Sequence, residues 1–284
     1  MQKNSALLTF SARYARIKPM LDGFERCILD NKERLADMLL SLGIKNPPEV
    51  FYYDSISSTN GVAKAVPIGA MPDGLYIAKA QSAGRGRLGR SFVSDEGGLY
   101  MTLRFERNVP PVAATRATVY TAVAVCRAVE GLTGLSPKIK WVNDVLLGGK
   151  KLAGILCEGI IGDGGMLSVL AVGIGINVLT APKGEIAEIA TALCEHTRDC
   201  PDPIMLAAAV TQQMYVMHNM QFSDVLNLYR ERSVIPGKRV RVIKPACEYF
   251  ATAVEIDDDG ALVIKTDGGV TEHLATGEVS VREL

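Results

Sequence analysis

Gly84-Arg85-Gly86-Arg87-Leu88-Gly89-Arg90, followed by Ser91-Phe92-Val93-Ser94-Asp95-Glu96-Gly97-Gly98 and then Leu99-Tyr100-Met101-Thr102-Leu103-Arg104-Phe105, is the stretch on which the fold turns. Its first glycines satisfy the G-x-G-x-x-G spacing of a dinucleotide-binding turn, a weak signal by itself. In that fold the glycine loop opens directly into a helix whose N-terminus holds a pyrophosphate. Here the segment after the loop is polar and glycine-containing, and the next element reads as a strand over Leu99–Phe105. Three arginines supply the positive charge that a helix dipole would have given. Guanidinium forks can wrap phosphate oxygens bidentately and shield their charge. A solvated basic loop that touches RNA stays open on this segment alone.

Outward from the loop, the pattern is a mixture of sheet and helix. Upstream, Met20, Leu21, Phe24, Ile28, Leu35, Met38, Leu39 and Leu42 recur at helical spacing within Pro19–Leu42, and Gly43 ends the run. Val50–Tyr53 reads as a strand, and Ser57-Ser58-Thr59-Asn60 supplies N-cap chemistry for a helix to about Val66. Strands are expected at Leu75–Ala80, Ile139–Trp141, Val145–Leu147, Leu152–Ile160 and Leu167–Ile176, with Gly148-Gly149 and Gly162 to Gly165 as turns. Helices are expected at Val112–Leu132, Glu185–Cys194 and Ile204–Arg232. After Pro236-Gly237 the texture becomes short β segments, at Arg239–Ile243, Phe250–Ile256, Ala261–Ile264, Val270–Leu274 and Val279–Val281, punctuated by Asp257-Asp258-Asp259-Gly260 and Asp267-Gly268-Gly269. The expectation is an α+β protein: a helical N-terminal extension over 1–47, a mixed or antiparallel sheet domain over 48–235, and a small all-β barrel over 236–284.

Composition narrows the function classes. Basic and acidic residues number 31 each, and a dedicated nucleic-acid binder usually shows a basic excess. DNA binding is therefore not expected. No apolar run approaches the length of about 20 residues that crosses a bilayer, so no membrane role is expected either. The six cysteines (Cys27, Cys126, Cys157, Cys194, Cys200 and Cys247) are scattered and mostly sit in apolar patterns, as reduced thiols of a cytoplasmic protein would. Cys194, His196 and Cys200 fit no common zinc spacing. Lys3, Arg13, Arg16 and Lys18 precede the first acid, Asp22; a transit peptide and a basic helical extension both fit that pattern.

Two further segments carry chemistry. In Lys140-Trp141-Val142-Asn143-Asp144, followed after a short hairpin by Lys151-Leu152-Ala153-Gly154-Ile155-Leu156, an amide, an acid and an ammonium are brought near one another. The ammonium can stabilise charge developing on a phosphate. The acid can meet Mg²⁺ or orient an incoming amine. Strand alternation turns Lys150 to the face opposite Lys151. For any one of these residues a surface salt bridge is the simpler explanation. Gly173-Ile174-Gly175-Ile176-Asn177 ends an apolar strand, and its alternating glycines would let a ligand approach the backbone, although strand glycines often mark only a bulge.

In combination and order, these segments resemble the biotin–protein ligase family, from Val50 to the C-terminus: Ser58-Thr59-Asn60, Gln81 with the arginine–glycine loop, KWVND, KLAGIL, GIGIN and Gly277-Glu278-Val279-Ser280. The resemblance implies the biotin/lipoate ligase type of catalytic sheet over 48–235. It also implies two steps: biotin carboxylate attacks the α-phosphate of Mg-ATP to give biotinyl-5′-adenylate, and a lysine of a biotin carboxyl carrier domain then takes the biotinyl group. Carried over, Ser58, Thr59, Asn60, Gln81, Gly84, Arg85, Arg87, Lys151 and Gly154 would hold biotin. Arg87, Arg90, Phe92, Asn143, Lys151 and Asn177 would meet ATP. Lys151, Arg87 and Asp144 would act in the chemistry, with Asp144 orienting or deprotonating the acceptor lysine. No protein-held metal is implied beyond the Mg²⁺ that travels with ATP.

Two positions depart from the family, which commonly has proline at Val142 and tryptophan at Phe92. Valine is expected to continue the strand, and phenylalanine to stack on adenine over less area. Some members carry an N-terminal DNA-binding repressor domain. The segment before Pro47 shows one amphipathic helix and no recognisable wing, so a ligase without that domain is expected; a homodimer is compatible with the family. The alternatives are a lipoate–protein ligase-like enzyme and, from another class, a non-catalytic RNA-binding module.

Overall fold

The structure is a computed structural model that describes residues 31–70, 73–244, 247–275 and 280–283. The basic N-terminal segment, the first half of the Pro19–Leu42 pattern and Gly277-Glu278-Val279 therefore lie outside the described residues. The described part of that helix, α1 (Asn31–Ser41), buries Leu35, Met38 and Leu39. These positions follow the 3.6-residue period read from the sequence.

Seven strands form one sheet: β1 (Glu49–Ile56), β2 (Asp73–Gln81), β3 (Gly98–Val109), β4 (Lys138–Lys140), β5 (Asp144–Leu147), β6 (Lys150–Ile161) and β7 (Leu167–Asn177), in the order β1-β2-β3-β7-β6-β5-β4. Only the β1–β2 pair is parallel; the others are antiparallel. The parallel crossover is made by α2 (Thr59–Ala65), capped by Ser58, whose Oγ accepts the Gly61 N–H. No helix follows β2, so the glycine–arginine loop leads through a short 3₁₀ turn at Arg87–Gly89 into β3.

β7 is buried along nearly its whole length because it lies mid-sheet with both faces covered. On one face Leu170 and Val172 meet α3 (Val112–Thr133) and the end of α4 (Pro203–His218). The alternate residues Gly173 and Gly175 face α2 and the glycine–arginine loop. α3 is long and apolar enough to cross a membrane, but 67% of its most apolar window is buried inside the fold. It ends where Gly134 adopts φ 73° and returns its N–H to Glu130 O.

Four expectations are corrected. The single helix over Ile204–Arg232 is two, because the chain turns tightly at Asn219–Met220 before α5 (Phe222–Arg232). Glu185–Cys194 is not a helix: Ile189 O accepts the Lys151 N–H and Thr191 N–H donates to Lys151 O, so the segment is drawn against β6 with only 3₁₀ turns at Gly184–Ile186 and Leu193–Glu195. Val142 does not continue a strand but lies in the turn joining β4 and β5, its peptide with Trp141 cis. Cys194 and Cys200 are not separate thiols; the turn after Cys194 brings their Cα atoms to 5.0 Å and they are disulfide-bonded.

The C-terminal strands β8 (Arg239–Ile243), β9 (Glu248–Ile256), β10 (Leu262–Thr266), β11 (Thr271–Leu274) and β12 (Ser280–Glu283) form an antiparallel sheet in the order β11-β10-β9-β8-β12. The β9–β10 turn rests on the main body. Trp141 Nε1 donates to Gly260 O at 3.1 Å, and Arg230 Nε donates to Ile256 O at 2.8 Å. Buried residues of both sheets join in one hydrophobic cluster.

Candidate active site

A cavity of about 680 Å³ opens on the face of the seven-stranded sheet away from α3 and α4. Its walls come from the start of α2, the end of β2, the glycine–arginine loop, the β4–β5 turn, β6 and β7. One end is polar and neutral, the other charged.

At the neutral end Ser58, Thr59 and Asn60 are each 5% exposed or less. Thr59 N–H donates to Gln81 Oε1 at 2.8 Å, and Gln81 Nε2 donates to Ser94 Oγ at 3.0 Å. The Gln81 amide is thereby oriented from both sides. Gly84 does not line the cavity. A Cβ there would lie 2.4 Å from both Phe92 O and Ser94 Oγ, so this glycine is required for the loop to fold back on itself.

At the charged end Lys151 Nζ pairs with Asp144 Oδ1 at 2.7 Å. β5 and β6 place the two residues on adjacent strands, with a bulge between Val145 and Leu146. Lys150, expected on the opposite face, also borders the cavity mouth, where it is exposed. Arg87 Nη1 donates to Asn143 Oδ1 at 3.2 Å, while Asn143 Nδ2 donates to Ile155 O at 2.9 Å. Burial draws the Arg87 pKa down from its ordinary value, and the charge of Asp144 partly counters this. Arg85 and Ser91 form a β-bridge at the base of the loop, and Leu88 at its tip has φ 55°. Arg85, Arg87 and Arg90 all line the cavity.

The GIGIN glycines have a specific packing reason. A Cβ on Gly173 would lie 2.3 Å from Asn60 Oδ1, and one on Gly175 would lie 2.5 Å from Phe92 Cε1. The Phe92 ring also covers Gly154, where a Cβ would be 2.9 Å from Cε2. These glycines make room for two side chains of the site, where the sequence suggested room for a ligand. Lys151 Nζ lies 5.7 Å from the Phe92 ring centroid.

Asn177, expected beside the nucleotide, is not part of the cavity wall. It is 4% exposed, and its Nδ2 donates to Thr191 O at 3.0 Å and Lys151 O at 3.4 Å. Its amide is committed to holding the strap that follows β7. Glu188 and Ile189 on that strap border the site, and no sequence signal singled them out.

The cavity thus joins a neutral hydrogen-bonding pocket to a lysine, an acid and an arginine loop suited to phosphate. Comparison with known proteins gives the same class. The model of the biotin/lipoate A/B protein ligase family matches residues 52–177, and that of the biotin protein ligase C-terminal domain matches residues 236–282. The bifunctional ligase/repressor BirA of Bacillus subtilis (strain 168) is 31% identical over 251 residues, 84% of this chain and 76% of that protein. The biotin–[acetyl-CoA-carboxylase] ligase of Mycobacterium tuberculosis is 30% identical, covering 93% of this chain and 97% of that protein. The structure of the Aquifex aeolicus biotin protein ligase in complex with biotin and ATP superposes with a TM-score of 0.68 at 26% identity, covering 85% of this chain and all of that one.

The chain belongs to the biotin/lipoate A/B protein ligase family. Within it, the relatives and the solved neighbour make it an ATP-dependent biotin–protein ligase, which forms biotinyl-5′-AMP and transfers the biotinyl group.

Proposed function

We propose that the two ends of the cavity divide the reaction. Ser58, Thr59 and Gln81 hold the ureido head of biotin, and the Lys151–Asp144 pair with Arg85, Arg87 and Arg90 handles carboxylate and phosphates. The observation that carries this reading is the 2.7 Å Lys151–Asp144 pair at the junction of the neutral pocket and the arginine loop, inside one cavity.

In the first step a biotin carboxylate oxygen attacks the α-phosphorus of ATP, and the bond to the bridging oxygen of the β-phosphate breaks. Charge builds on the α-phosphate oxygens, where a fixed ammonium and guanidinium stabilise the transition state more than the ground state. Mg²⁺ would arrive with the triphosphate and shield its charge. Among the described residues no group of three or more His, Cys, Asp or Glu is placed to hold a metal, and the carboxylates that line the cavity are those of Asp144 and Glu188. In the second step the amine of the carrier lysine attacks the acyl carbon, AMP leaves, and Asp144 takes the amine proton once Lys151 has turned to the ligand. Phe92 offers its ring to the adenine side of the cavity, and Asn143 acts by holding Arg87.

The acceptor is read as a biotin carboxyl carrier domain and the compartment as the cytoplasm. Residues 48–235 form the catalytic unit in this reading, with 236–284 as an attached module. The test supplies labelled biotin, ATP and a purified carrier domain, and compares ATP–pyrophosphate exchange driven by biotin and by lipoate. Biotin-dependent exchange with label on one carrier lysine is the expected result. Exchange driven by lipoate alone would make the enzyme a lipoate ligase.

A further inference from the structure

We infer that Glu158 and Lys64, neither of which lines the cavity, are positioning residues that set the hydrogen-bond polarity of the head pocket and so its selectivity for a ureido group. The inference rests on the reading of Ser58, Thr59 and Gln81 as the biotin-head wall.

Donors and acceptors run from the partly exposed Glu158 through buried Asn60 and Thr102 to Thr59. Asn60 Nδ2 lies 2.8 Å from Glu158 Oε2 and 3.1 Å from Leu156 O. Both neighbours are acceptors only, so the amide nitrogen must face them and Asn60 Oδ1 must face Thr102. Thr102, fully buried, has one hydroxyl hydrogen and lies 2.6 Å from that Oδ1, which cannot donate. Its hydrogen is therefore committed to Asn60. With that hydrogen committed, both oxygens near the Thr59 hydroxyl can accept from it, Thr102 Oγ1 at 2.8 Å and Gln81 Oε1 at 3.1 Å, so its hydrogen is spent within the wall. That leaves Thr59 with oxygen lone pairs, and no hydrogen, for the cavity. Ser58 is in the opposite state: its Oγ accepts the Gly61 N–H, so its hydrogen is available to a ligand oxygen. The wall presents an acceptor beside a donor, as a ureido N–H and C=O require.

The origin of this chain is the Glu158 carboxylate, held by Lys64 Nζ at 2.6 Å. Burial pushes the Glu158 pKa up, but the hydrogen bonds from Lys64 and Asn60 and the charges of Lys64 and Arg85 outweigh it and hold the group ionised. A glutamine at 158 cannot substitute. Its amide nitrogen would face either Asn60 Nδ2 or Lys64 Nζ, both donors only.

Two variants test this, read by biotin Kd, ATP Kd, kcat at saturating biotin, and thermal unfolding. Glu158→Gln should weaken biotin about ten- to a hundredfold, the effect of one mismatched buried polar contact. ATP affinity should stay within about threefold, and kcat at saturating biotin should change little. The charge-swapped double variant Lys64→Glu with Glu158→Lys retains an ion pair but turns a donor toward Asn60. Its biotin affinity should stay as weak as that of Glu158→Gln, although its unfolding temperature recovers. Recovery of biotin affinity with the ion pair would show a merely structural bridge and overturn the inference, as would a Glu158→Gln enzyme that binds biotin within twofold of the parent. If the swapped protein does not fold, Glu158→Gln alone decides by the same twofold limit. A parent protein that does not bind biotin would instead overturn the reading of the wall, and the inference with it.

Discussion

In the proposed division of the cavity Lys151 sits where charge changes hands, with one carboxylate 2.7 Å away and the arginine loop lining the same cavity. Loss of one preorganised charge of this kind costs on the order of a hundredfold in rate, about 3 kcal/mol. Lys151→Ala should therefore slow single-turnover adenylate formation by at least that factor, with biotin affinity changed far less. Lys150→Ala, at the exposed mouth, should stay within a few-fold of the parent. Equal losses at the two lysines would remove Lys151 from its assigned role. A second residue prediction concerns Gly175. An alanine there drives a methyl group to 2.5 Å from Phe92 Cε1 and must displace the ring, an overpacking cost of about 1–3 kcal/mol. Gly175→Ala should fold, lose some thermal stability and weaken ligand binding at least tenfold by calorimetry. Wild-type binding in that variant would mean that Phe92 moves freely and shapes nothing.

At the scale of elements, the β4–β5 turn has two loyalties. Asn143 and Asp144 face the cavity, while Trp141 Nε1 reaches out to Gly260 O on the β9–β10 turn. Tyr229 on α5 fixes the same turn from below, its hydroxyl donating to Val142 O at 3.0 Å. That β9–β10 turn is shaped by Asp257, whose Oδ1 accepts the N–H groups of Asp259 and Ala261, and by Gly260 at φ 84°, packed near Val119 and Phe222. Trp141→Phe keeps most of the ring and deletes the indole donor, leaving a buried carbonyl with one partner fewer. It should cost about 1 kcal/mol or slightly more in denaturant unfolding. Amide exchange should accelerate in the β9–β10 turn and in the Trp141–Asp144 turn together. Acceleration confined to one of them would show that the two turns are not coupled.

For the molecule as a whole, the texture change after Pro236 reads as a separate small all-β unit over 236–284. The packing says otherwise: Val240, Val242, Ala251, Ala253, Ile256 and Leu262 belong to the same buried cluster as the seven-stranded sheet and its helices. Tyr229, fully buried, and Trp141, 4% exposed, lie near the junction. Ending the chain at Ile235 should therefore lower the unfolding temperature and solubility of the catalytic part as well as its carrier transfer. A truncated protein that melts like the full chain but biotinylates the carrier poorly would restore the picture of an independent module with a purely functional role.

The sequence alone determined the elements with strong local causes. The Ser58 cap, the helical periods of α1 and α3, the strands flanking the arginine loop and the Asp-Gly hairpins of the C-terminal sheet all follow from capping, periodicity and turn chemistry within a few residues. It also brought out Lys151, Asp144 and the arginines, because charged and glycine residues at fixed order have few other reasons to occur together. Only the tertiary structure decided what depends on distant neighbours. Residues 185–194 are helical by local pattern, yet two backbone bonds to Lys151 draw them out along β6. Cys194 and Cys200 lie six residues apart without a signal, and a turn makes them a pair. Asn177 exchanges an expected ligand contact for structural ones, because its amide is consumed by carbonyls, and Gly154 and Gly175 make way for the Phe92 ring where room for a ligand was expected. Glu158 stands unremarked in a strand until the fold sets it beside Asn60, because the donor that gives a carboxylate its meaning is 98 residues away in the chain.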